Sequence, residues 1–446
     1  MLKPTLRQLP YKSKPYIKHL GGGVNNGVSG FDIRDNEATE LENGQHGESP
    51  AFRVRYPRTL TAEITGTGRH LGQSGDDYLT VVEDKTWEYL DGDTIKTIGS
   101  LTGTGDACSV NFMGDVLLVN GTDKKVWNGS SLTDISDMPS GLLYLTVHAN
   151  RVYGAKSTSL YFCALRDSDD WSTAGDAGQI QVETPDGDEV TGLVTYANHV
   201  IYFTENSMHE LYGTGPHNYS FQTLSNSIGC VNNRTIKEVN GILYFLGRDG
   251  VYAYDGGTLP KIISEKVKKH IDEANFVTAC AGVYKDIYYL YTGSVVITFS
   301  KGIWNVEDDA GVVEFVNLNG VLYGLTADGI TEMVDADGDE EVTATWVSKW
   351  FSFDNAGSTK FVRNIYVVCD IPTGGSIVVY ITNDLKGSEY TEIGTIDAST
   401  KIQNQKIMLA TNVMFDSDWY KIKLDMVGQC TVHAIEIQVR LKAPNY

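Results

Sequence analysis

Val239-Asn240-Gly241-Ile242-Leu243-Tyr244-Phe245-Leu246-Gly247-Arg248-Asp249-Gly250-Val251-Tyr252-Ala253-Tyr254-Asp255-Gly256-Gly257 is the stretch on which the reading of this chain turns. Two apolar and aromatic bursts, Ile242–Leu246 and Val251–Tyr254, flank the turn Arg248-Asp249-Gly250. Asn-Gly and Asp-Gly favour the positive φ angles of type I′ hairpin turns, so the phrase spells turn, strand, turn, strand. It recurs as Gly114-Asp115-Val116-Leu117-Leu118-Val119, Asn150-Arg151-Val152-Tyr153 and Asn198-His199-Val200-Ile201-Tyr202-Phe203. Further copies are Asp286-Ile287-Tyr288-Tyr289-Leu290-Tyr291 and Asn319-Gly320-Val321-Leu322-Tyr323, and a weaker one opens the series at Asp77-Tyr78-Leu79-Thr80-Val81-Val82. The first strand residues of the copies (78, 116, 152, 200, 242, 287 and 321) are spaced by 38, 36, 48, 42, 45 and 34. A loose period of about 40 residues made of short strands is the mark of a β-propeller with one blade per repeat.

Composition agrees with an all-β protein. The 446 residues include 25 Tyr and 46 Gly but only 11 Pro, and aromatic strands punctuated by glycine turns need that mixture. The repeats occupy about 61–340, or 280 residues for seven copies, which gives 40 per blade. The long gap between 152 and 200 holds an insertion, with Asp167-Ser168-Asp169-Asp170-Trp171 and Pro185-Asp186-Gly187-Asp188-Glu189 expected as exposed loop. The one helix expected is Ser264–Phe276, with Ser264 as cap and Ile263, Val267 and Ile271 four apart.

The register changes near 340. The acidic turn Asp335-Ala336-Asp337-Gly338-Asp339-Glu340-Glu341 is expected as a linker. After it come alternating strands: Ala344–Phe353, Phe361–Val368, Ser376–Ile381, Lys406–Leu409, Tyr420–Leu424 and Val432–Val439. Alternation means one buried face, which predicts an antiparallel β-sandwich of jelly-roll type over 341–446. Before the repeats, residues 1–60 predict an extended N-terminal arm lying along the main domain or a neighbour. Gly21-Gly22-Gly23-Val24-Asn25-Asn26-Gly27 is turn-rich, and the stretch from Ile33 to Asn43 could form one helical turn capped by Asp35.

The formal net charge is −21, which argues against a protein that grips free nucleic acid, because that needs a basic stripe. The asymmetry is at the start: residues 1–19 carry Lys3, Arg7, Lys12, Lys14 and Lys18 and no acid, which reads as a solvated terminus, an arm that docks on an acidic neighbour, or one that docks on DNA. The six cysteines (108, 163, 230, 280, 369 and 430) form no CxxC or zinc knuckle and sit in or beside apolar strands, which predicts buried, reduced thiols. No signal-peptide pattern and no apolar run of about 18 residues is present, so synthesis in a bacterial cytoplasm and no membrane span are expected.

Motifs of chemistry are sparse. There is no Walker loop, HExxH or GxSxG, and no catalytic, cofactor-binding or metal-ligating residue is assigned. His199 and His209 share a repeat but lack a companion at ligand spacing. Asp335-x-Asp337-Gly338-Asp339-Glu340-Glu341 differs from a calcium loop, which needs acids at positions 1, 3 and 5, Gly at 6 and Glu at 12. The same applies to Asp186-Gly187-Asp188-Glu189 and Asp91-Gly92-Asp93. A propeller glycosidase would use paired carboxylates, but acids here are too plentiful for a pair to be diagnostic.

Two stretches carry a resemblance. Asn198-His-Val-Ile-Tyr-Phe-Thr-Glu-Asn-Ser-Met-His-Glu-Leu-Tyr-Gly-Thr-Gly215 is one; Ser227-Ile-Gly-Cys-Val231, continuing through Val239 to Gly256, is the other. With Gly21–Asn25, Asp35–Ala38, Leu41 and Asn43, they resemble structural proteins of tailed bacteriophages: propellers of the tail hub or nozzle of short-tailed phages and the related packaged-DNA-stabilisation proteins. The resemblance spans about 20–335 and carries no catalytic residue. It implies a non-enzymatic virion component without cofactor. Several copies, commonly six, would form a ring around the DNA channel beside portal, adaptor or other tail proteins, sealing the genome and passing DNA without specific binding. A strongly acidic wall would repel the phosphate backbone and let DNA slide. Two other functions fit a propeller: a module that adsorbs to host glycans, with Trp171 as the stacking platform or as a cover on a blade edge, and a glycosidase that degrades host polysaccharide.

Overall fold

A computed structural model describes residues 14–45, 51–184, 187–353, 359–387, 389–411 and 417–441. Lys3, Arg7 and Lys12 of the basic stretch, and Pro185 and Asp186 of the insertion, lie outside the described residues. Among the described residues the chain is all-β apart from one short α-helix and two 3₁₀ turns, and it forms two compact units. Of the described residues, those within 58–300 and 309–338 form one, and those within 14–57, 301–308 and 339–441 form the other.

The first unit is a succession of antiparallel sheets, most of them four-stranded. The first runs Gly68–Ser74, Tyr78–Glu83, Thr86–Asp91, Thr94–Ser100. The fifth runs Lys237–Val239, Ile242–Gly247, Gly250–Tyr254, Lys261–Ile262. Each of the seven quoted copies falls on the second strand of a sheet, as in Asp115–Val119, Arg151–Lys156, His199–Thr204, Ile287–Tyr291 and Val321–Leu325. The turns entering several of these strands pair two positive φ angles: Ala149 and Asn150 at 48° and 58°, Ala197 and Asn198 at 47° and 65°, Asn240 and Gly241 at 52° and 77°, Asn319 and Gly320 at 53° and 84°. This is the type I′ geometry that matches strand twist.

The second strands read as unbroken apolar runs because both of their faces are covered. Every residue of His199–Thr204 and of Ile287–Tyr291 is buried. The core lies between neighbouring sheets. Val82 and Trp87 of the first sheet pack with Val116 and Trp127 of the second; Phe112 and Leu117 pack with Leu145 and Val152 of the third; Tyr153 and Leu160 pack with Val200 and Tyr202 of the fourth. The series closes on itself, since Leu325 and Ile330 of the last sheet pack with Leu71 and Leu79 of the first. The first strands neighbour one another in the same cyclic order, except that the first strand of the fourth sheet, Val190–Tyr196, meets the 3₁₀ turn Asn233–Thr235 that leads into the fifth sheet.

Closure is also made by backbone pairing. The last sheet runs Glu314–Leu318, Val321–Leu325, Gly329–Glu332, and its fourth strand is Thr59–Glu63 from the start of the unit. Gly329 faces Glu63 with φ of 145°, and a Cβ placed there would lie 2.0 Å from the Ala62 carbonyl oxygen. Only glycine accepts that conformation and approach. Gly329→Ala is expected to cost about 2 kcal/mol through backbone strain at the closing strand. Urea unfolding measures this, and an unchanged midpoint would contradict the closure argument.

The other unit contains two sheets. One has the order Ala38–Glu42, Thr343–Ser348, Lys421–Val427, Ser376–Thr382, Thr391–Asp397. The second has the order Gly44–Gln45, Phe52–Val54, Thr431–Leu441, Lys360–Ile371, Ile402–Ala410, with Lys14–Lys18 also pairing to Thr431–Leu441. Buried residues alternate along them: Ile377, Val379, Ile381; Ile422, Leu424, Met426; Ile365, Val367, Cys369, Ile371. Thr391–Asp397, which sequence reading passed over, alternates weakly and sits at a sheet edge.

Three local expectations change. From Lys14 onward the expected separate arm supplies strands to the two sheets of this unit, because Ala38–Glu42 pairs with Thr343–Ser348 and Phe52–Val54 pairs with Thr431–Leu441. The helical turn expected after Asp35 is a tight turn leading into that strand. The Glu37 carboxylate accepts bonds from the Arg34 backbone N–H and the Asn25 amide, both 2.9 Å, and Asp35 caps nothing there. The helix expected over Ser264–Phe276 is a 3₁₀ turn, Glu265–Val267, followed by an α-helix of only Lys268–Asp272. The Ser264 hydroxyl accepts from the Val251 N–H at 2.9 Å in the adjacent strand and is not available as a cap.

The N- and C-terminal strands are tied by one buried cation. The Arg55 guanidinium is 3% exposed and forms a bidentate pair with Glu340 at 2.7 and 3.0 Å, with a further contact to Asp308 at 3.1 Å. Its Nε donates to Asn43 Oδ1 at 2.9 Å, and the Asn43 amide donates to the Thr343 carbonyl at 2.8 Å. The glutamate read as part of a solvated linker is therefore a structural anion.

Candidate functional site

The first strands of the repeat unit surround a cavity of about 910 Å³. Gly72 and Gln73, Ser109 and Asn111, Leu145 and Thr146, Leu193 and Val194, Lys237, and Phe315 and Val316 come from six different sheets. Inner strands converge there because these sheets turn their first strands toward the cavity and their second strands into the packed layers.

A charged network crosses one side of the cavity. His70 Nδ1 lies 2.7 Å from the Glu314 carboxylate, and its Nε2 lies 2.8 Å from Ser109 Oγ. The same carboxylate accepts the Leu71 backbone N–H at 3.1 Å. The Arg234 guanidinium sits 3.7 Å from Glu314 and 3.4 Å from Asp106, and donates to the Arg69 carbonyl at 2.6 Å. The side chains of His70, Arg234 and Glu314 are 5%, 11% and 13% exposed, so these charges compensate one another in place of water. Burial alone would push the Glu314 carboxyl up, but His70 and Arg234 outweigh it and hold it down at about 2. Burial raises the Cys108 thiol beside this network to about 11. The paired Glu314 carboxylate and the Arg234 guanidinium brace this side of the cavity, with the Cys108 thiol un-ionised beside them.

The residues singled out from sequence are placed as follows. Trp171 is 6% exposed and belongs to the core between the second and third sheets; its indole N–H donates to the Ser168 carbonyl at 2.7 Å and its backbone N–H to Asp137 at 2.9 Å. It is a cover on the core and offers no stacking face. His199 bonds Glu210 at 3.1 Å, and that carboxylate also accepts the hydroxyls of Tyr254 and Tyr212. His209 lies between Ser207 (2.8 Å) and Thr223 (3.1 Å), with its ring stacked on Phe221. Both histidines are bonded inside one sheet. Among the described residues no group of His, Cys, Asp and Glu is arranged to hold a metal ion, and no helix is long and apolar enough to cross a membrane.

All six cysteines are free, five of them buried and Cys108 partly so. Burial raises Cys163 and Cys369 to about 11 and Cys230 and Cys430 to about 12. The folded protein at pH 8 is expected to give no fast reaction with a thiol reagent and six equivalents after denaturation; one rapid equivalent in the native state would contradict this.

The brace had no local signal: His70 and Glu314 are separated by 244 positions, and a lone His or Arg in a strand reads as a packing residue. No protein-family model matches the chain, and no curated protein does. Solved structures do match, at low identity. The extracellular domain of BT4673 from B. thetaiotaomicron is 10% identical over 80% of this chain and 48% of that one, with a TM-score of 0.48. The WD40 domain of Neurospora crassa Pan2 is 9% identical over 64% of this chain and 96% of that one, with a TM-score of 0.44. PorZ, a bacterial surface component of the type-IX secretion system of Porphyromonas gingivalis, is 12% identical over 69% of this chain and 44% of that one, with a TM-score of 0.42. The chain spans about half the length of the BT4673 domain.

Proposed function

We propose that the chain is a structural subunit of a short-tailed phage tail hub or nozzle: a seven-bladed β-propeller and a β-sandwich, assembled as a ring of several copies around the DNA channel. The observation that carries this reading is the pair of phrases resembling such proteins, 198–215 and 227–256, which occupy consecutive sheets of one repeat unit. The cyclic order of the first strands and the closing strand Thr59–Glu63 favour a seven-bladed count. Alternating burial in the two remaining sheets favours the sandwich.

The propeller's own cavity is no conduit. At about 910 Å³ it cannot admit a duplex whose major groove alone is about 12 Å wide, and the His70–Glu314–Arg234 brace occupies one side. DNA therefore passes between copies, along outer surfaces. Exposed acids on the hairpin turns of the first sheet, Asp76, Asp77, Asp84 and Asp93, are candidates for that wall, where negative charge keeps phosphates from adhering. Quantitative mass spectrometry of purified virions tests the assignment. A fixed, small number of copies per particle is expected; absence from the particle would overturn it.

A further inference from the structure

Among the described residues, one histidine is held between a carboxylate and a hydroxyl at the wall of a cavity. His70 Nδ1 lies 2.7 Å from the Glu314 carboxylate, and its Nε2 lies 2.8 Å from Ser109 Oγ. Other bonded rings lack one of these parts. His209 meets the Ser207 hydroxyl at 2.8 Å, but its second nitrogen faces the Thr223 hydroxyl, and Ser207 and His209 are buried within one sheet. His199 has Glu210 on one nitrogen and the Ala197 carbonyl on the other.

The charges assign the protons. Burial pushes the Glu314 carboxyl up, but His70 and Arg234 hold it at about 2, so at neutral pH it is ionised and only accepts hydrogen bonds. A neutral His70 ring therefore carries its proton on Nδ1, and its Nε2 accepts the Ser109 hydroxyl. The Leu71 N–H at 3.1 Å and the Arg234 guanidinium at 3.7 Å fix the carboxylate in place. Carboxylate, imidazole and hydroxyl in this order are what turn a serine into a nucleophile.

Ser109 is partly exposed and lines the cavity of about 910 Å³, a volume that suits a small molecule. Along its strand Cys108, Val110 and Phe112 turn to the core shared with the third sheet, so Ser109 turns to the first sheet and His70. Gly72 stands beside it. A Cβ there would collide with Ser109 Oγ and would lie 2.9 Å from Thr80 Oγ1 and 3.0 Å from His70 Nε2. Glycine thus leaves open a point on which three polar groups converge, and Thr80 Oγ1 is buried without a hydrogen-bond partner among the described residues. The lining also holds apolar Leu145, Leu193 and Phe315, and Lys237, whose positive charge, like that of Arg234, acts on Glu314. A brace needs only the carboxylate and the guanidinium; the hydroxyl at a cavity wall adds what a nucleophile needs.

We infer that this cavity hydrolyses small carboxylic esters with an apolar acyl group, with Ser109 as nucleophile, His70 as general base and Glu314 as the residue that positions His70. Ser109 Oγ attacks the ester carbonyl carbon, its proton passes to His70 Nε2, and the carbonyl electron pair moves onto the oxygen. Arg234 and Lys237 place positive charge on the lining where that oxyanion develops. Collapse breaks the bond to the leaving oxygen, which takes the proton from His70 and departs as an alcohol. Water then attacks the acyl-serine with its proton passing to His70; the acid is released and the proton returns to Ser109. The inference stands apart from the hub reading: it gives the cavity an activity and needs no ring.

The test incubates the full chain with a biotin-tagged alkyl fluorophosphonate and maps the modified peptides by mass spectrometry. Phosphonylation of Ser109 with loss of fluoride is expected, and none of the buried Ser207. Hydrolysis of para-nitrophenyl acetate and butyrate is then followed by release of nitrophenolate. Ser109→Ala and His70→Ala should each lower kcat/KM by about 100-fold or more. Free imidazole should restore part of the rate to His70→Ala, which a purely structural loss would not allow. Glu314→Gln, assayed where circular dichroism shows it folded, should lower kcat by about tenfold or more with KM unchanged. Ser109→Ala removes a single oxygen and serves alone if His70→Ala does not fold. No phosphonylation of Ser109, or ester hydrolysis by Ser109→Ala equal to that of the natural protein, would overturn the inference.

Discussion

Glu314→Gln is expected to destabilise the repeat unit by about 3 kcal/mol at neutral pH. The substitution keeps the shape but removes the anion shared by His70, Arg234 and the Leu71 N–H, leaving a guanidinium 11% exposed with Asp106 as its remaining ionic neighbour. Removing one partner of a buried pair costs about 3–5 kcal/mol; the lower end applies because Asp106 and the Arg69 carbonyl still engage Arg234. The pH dependence has a definite sign. The Glu314 carboxyl is lowered in the folded state from 4.5 to about 2. A depressed carboxylate stabilises above its unfolded value, so the contribution is complete above about pH 5 and is lost as pH falls toward 2, amounting to up to about 3 kcal/mol. Urea unfolding at a series of pH values should show this loss in the natural protein and its absence in Glu314→Gln. Parallel pH profiles for the two proteins would show that the brace does not contribute as described.

Arg55→Met is the second large effect. The guanidinium ties the segments around Asn43, Tyr56, Asp308 and Glu340. Methionine fills much of the volume but leaves Glu340 and Asp308 facing each other and Asn43 Oδ1 without its guanidinium donor. The partners are about one-third exposed, so water relieves part of the cost, and a loss of about 2–3 kcal/mol is expected. Arg55→Lys should recover only part of it, because an ammonium cannot reproduce the bidentate fork and the Nε bond together. Denaturant midpoints of the three proteins check the ranking natural, Lys, Met; equal midpoints would contradict it.

Legibility in the sequence followed local physics. The seven phrases were visible because second strands are covered on both faces and so are written as continuous apolar runs, and because their turns need Asn or Gly at positive φ. The closing strand Thr59–Glu63 was not visible: it is a single edge strand, exposed at Leu60, whose partner lies some 270 positions away. The helix over Ser264–Phe276 was misjudged because spacing and cap residue suggested one, while the Ser264 hydroxyl serves a neighbouring strand. The brace is assembled from residues as far apart as His70 and Glu314. Trp171 lies in an acidic loop, which suggests exposure, yet its side chain fills the core between two sheets.

The most direct test of the hub proposal is a cryo-EM map of the virion that carries this chain. The account predicts a symmetric ring of propellers around the axial DNA channel, with the channel running between copies and each propeller's own cavity closed by the His70–Glu314–Arg234 brace. Density for the chain on a peripheral fibre, or DNA threading the propeller axis, would contradict it.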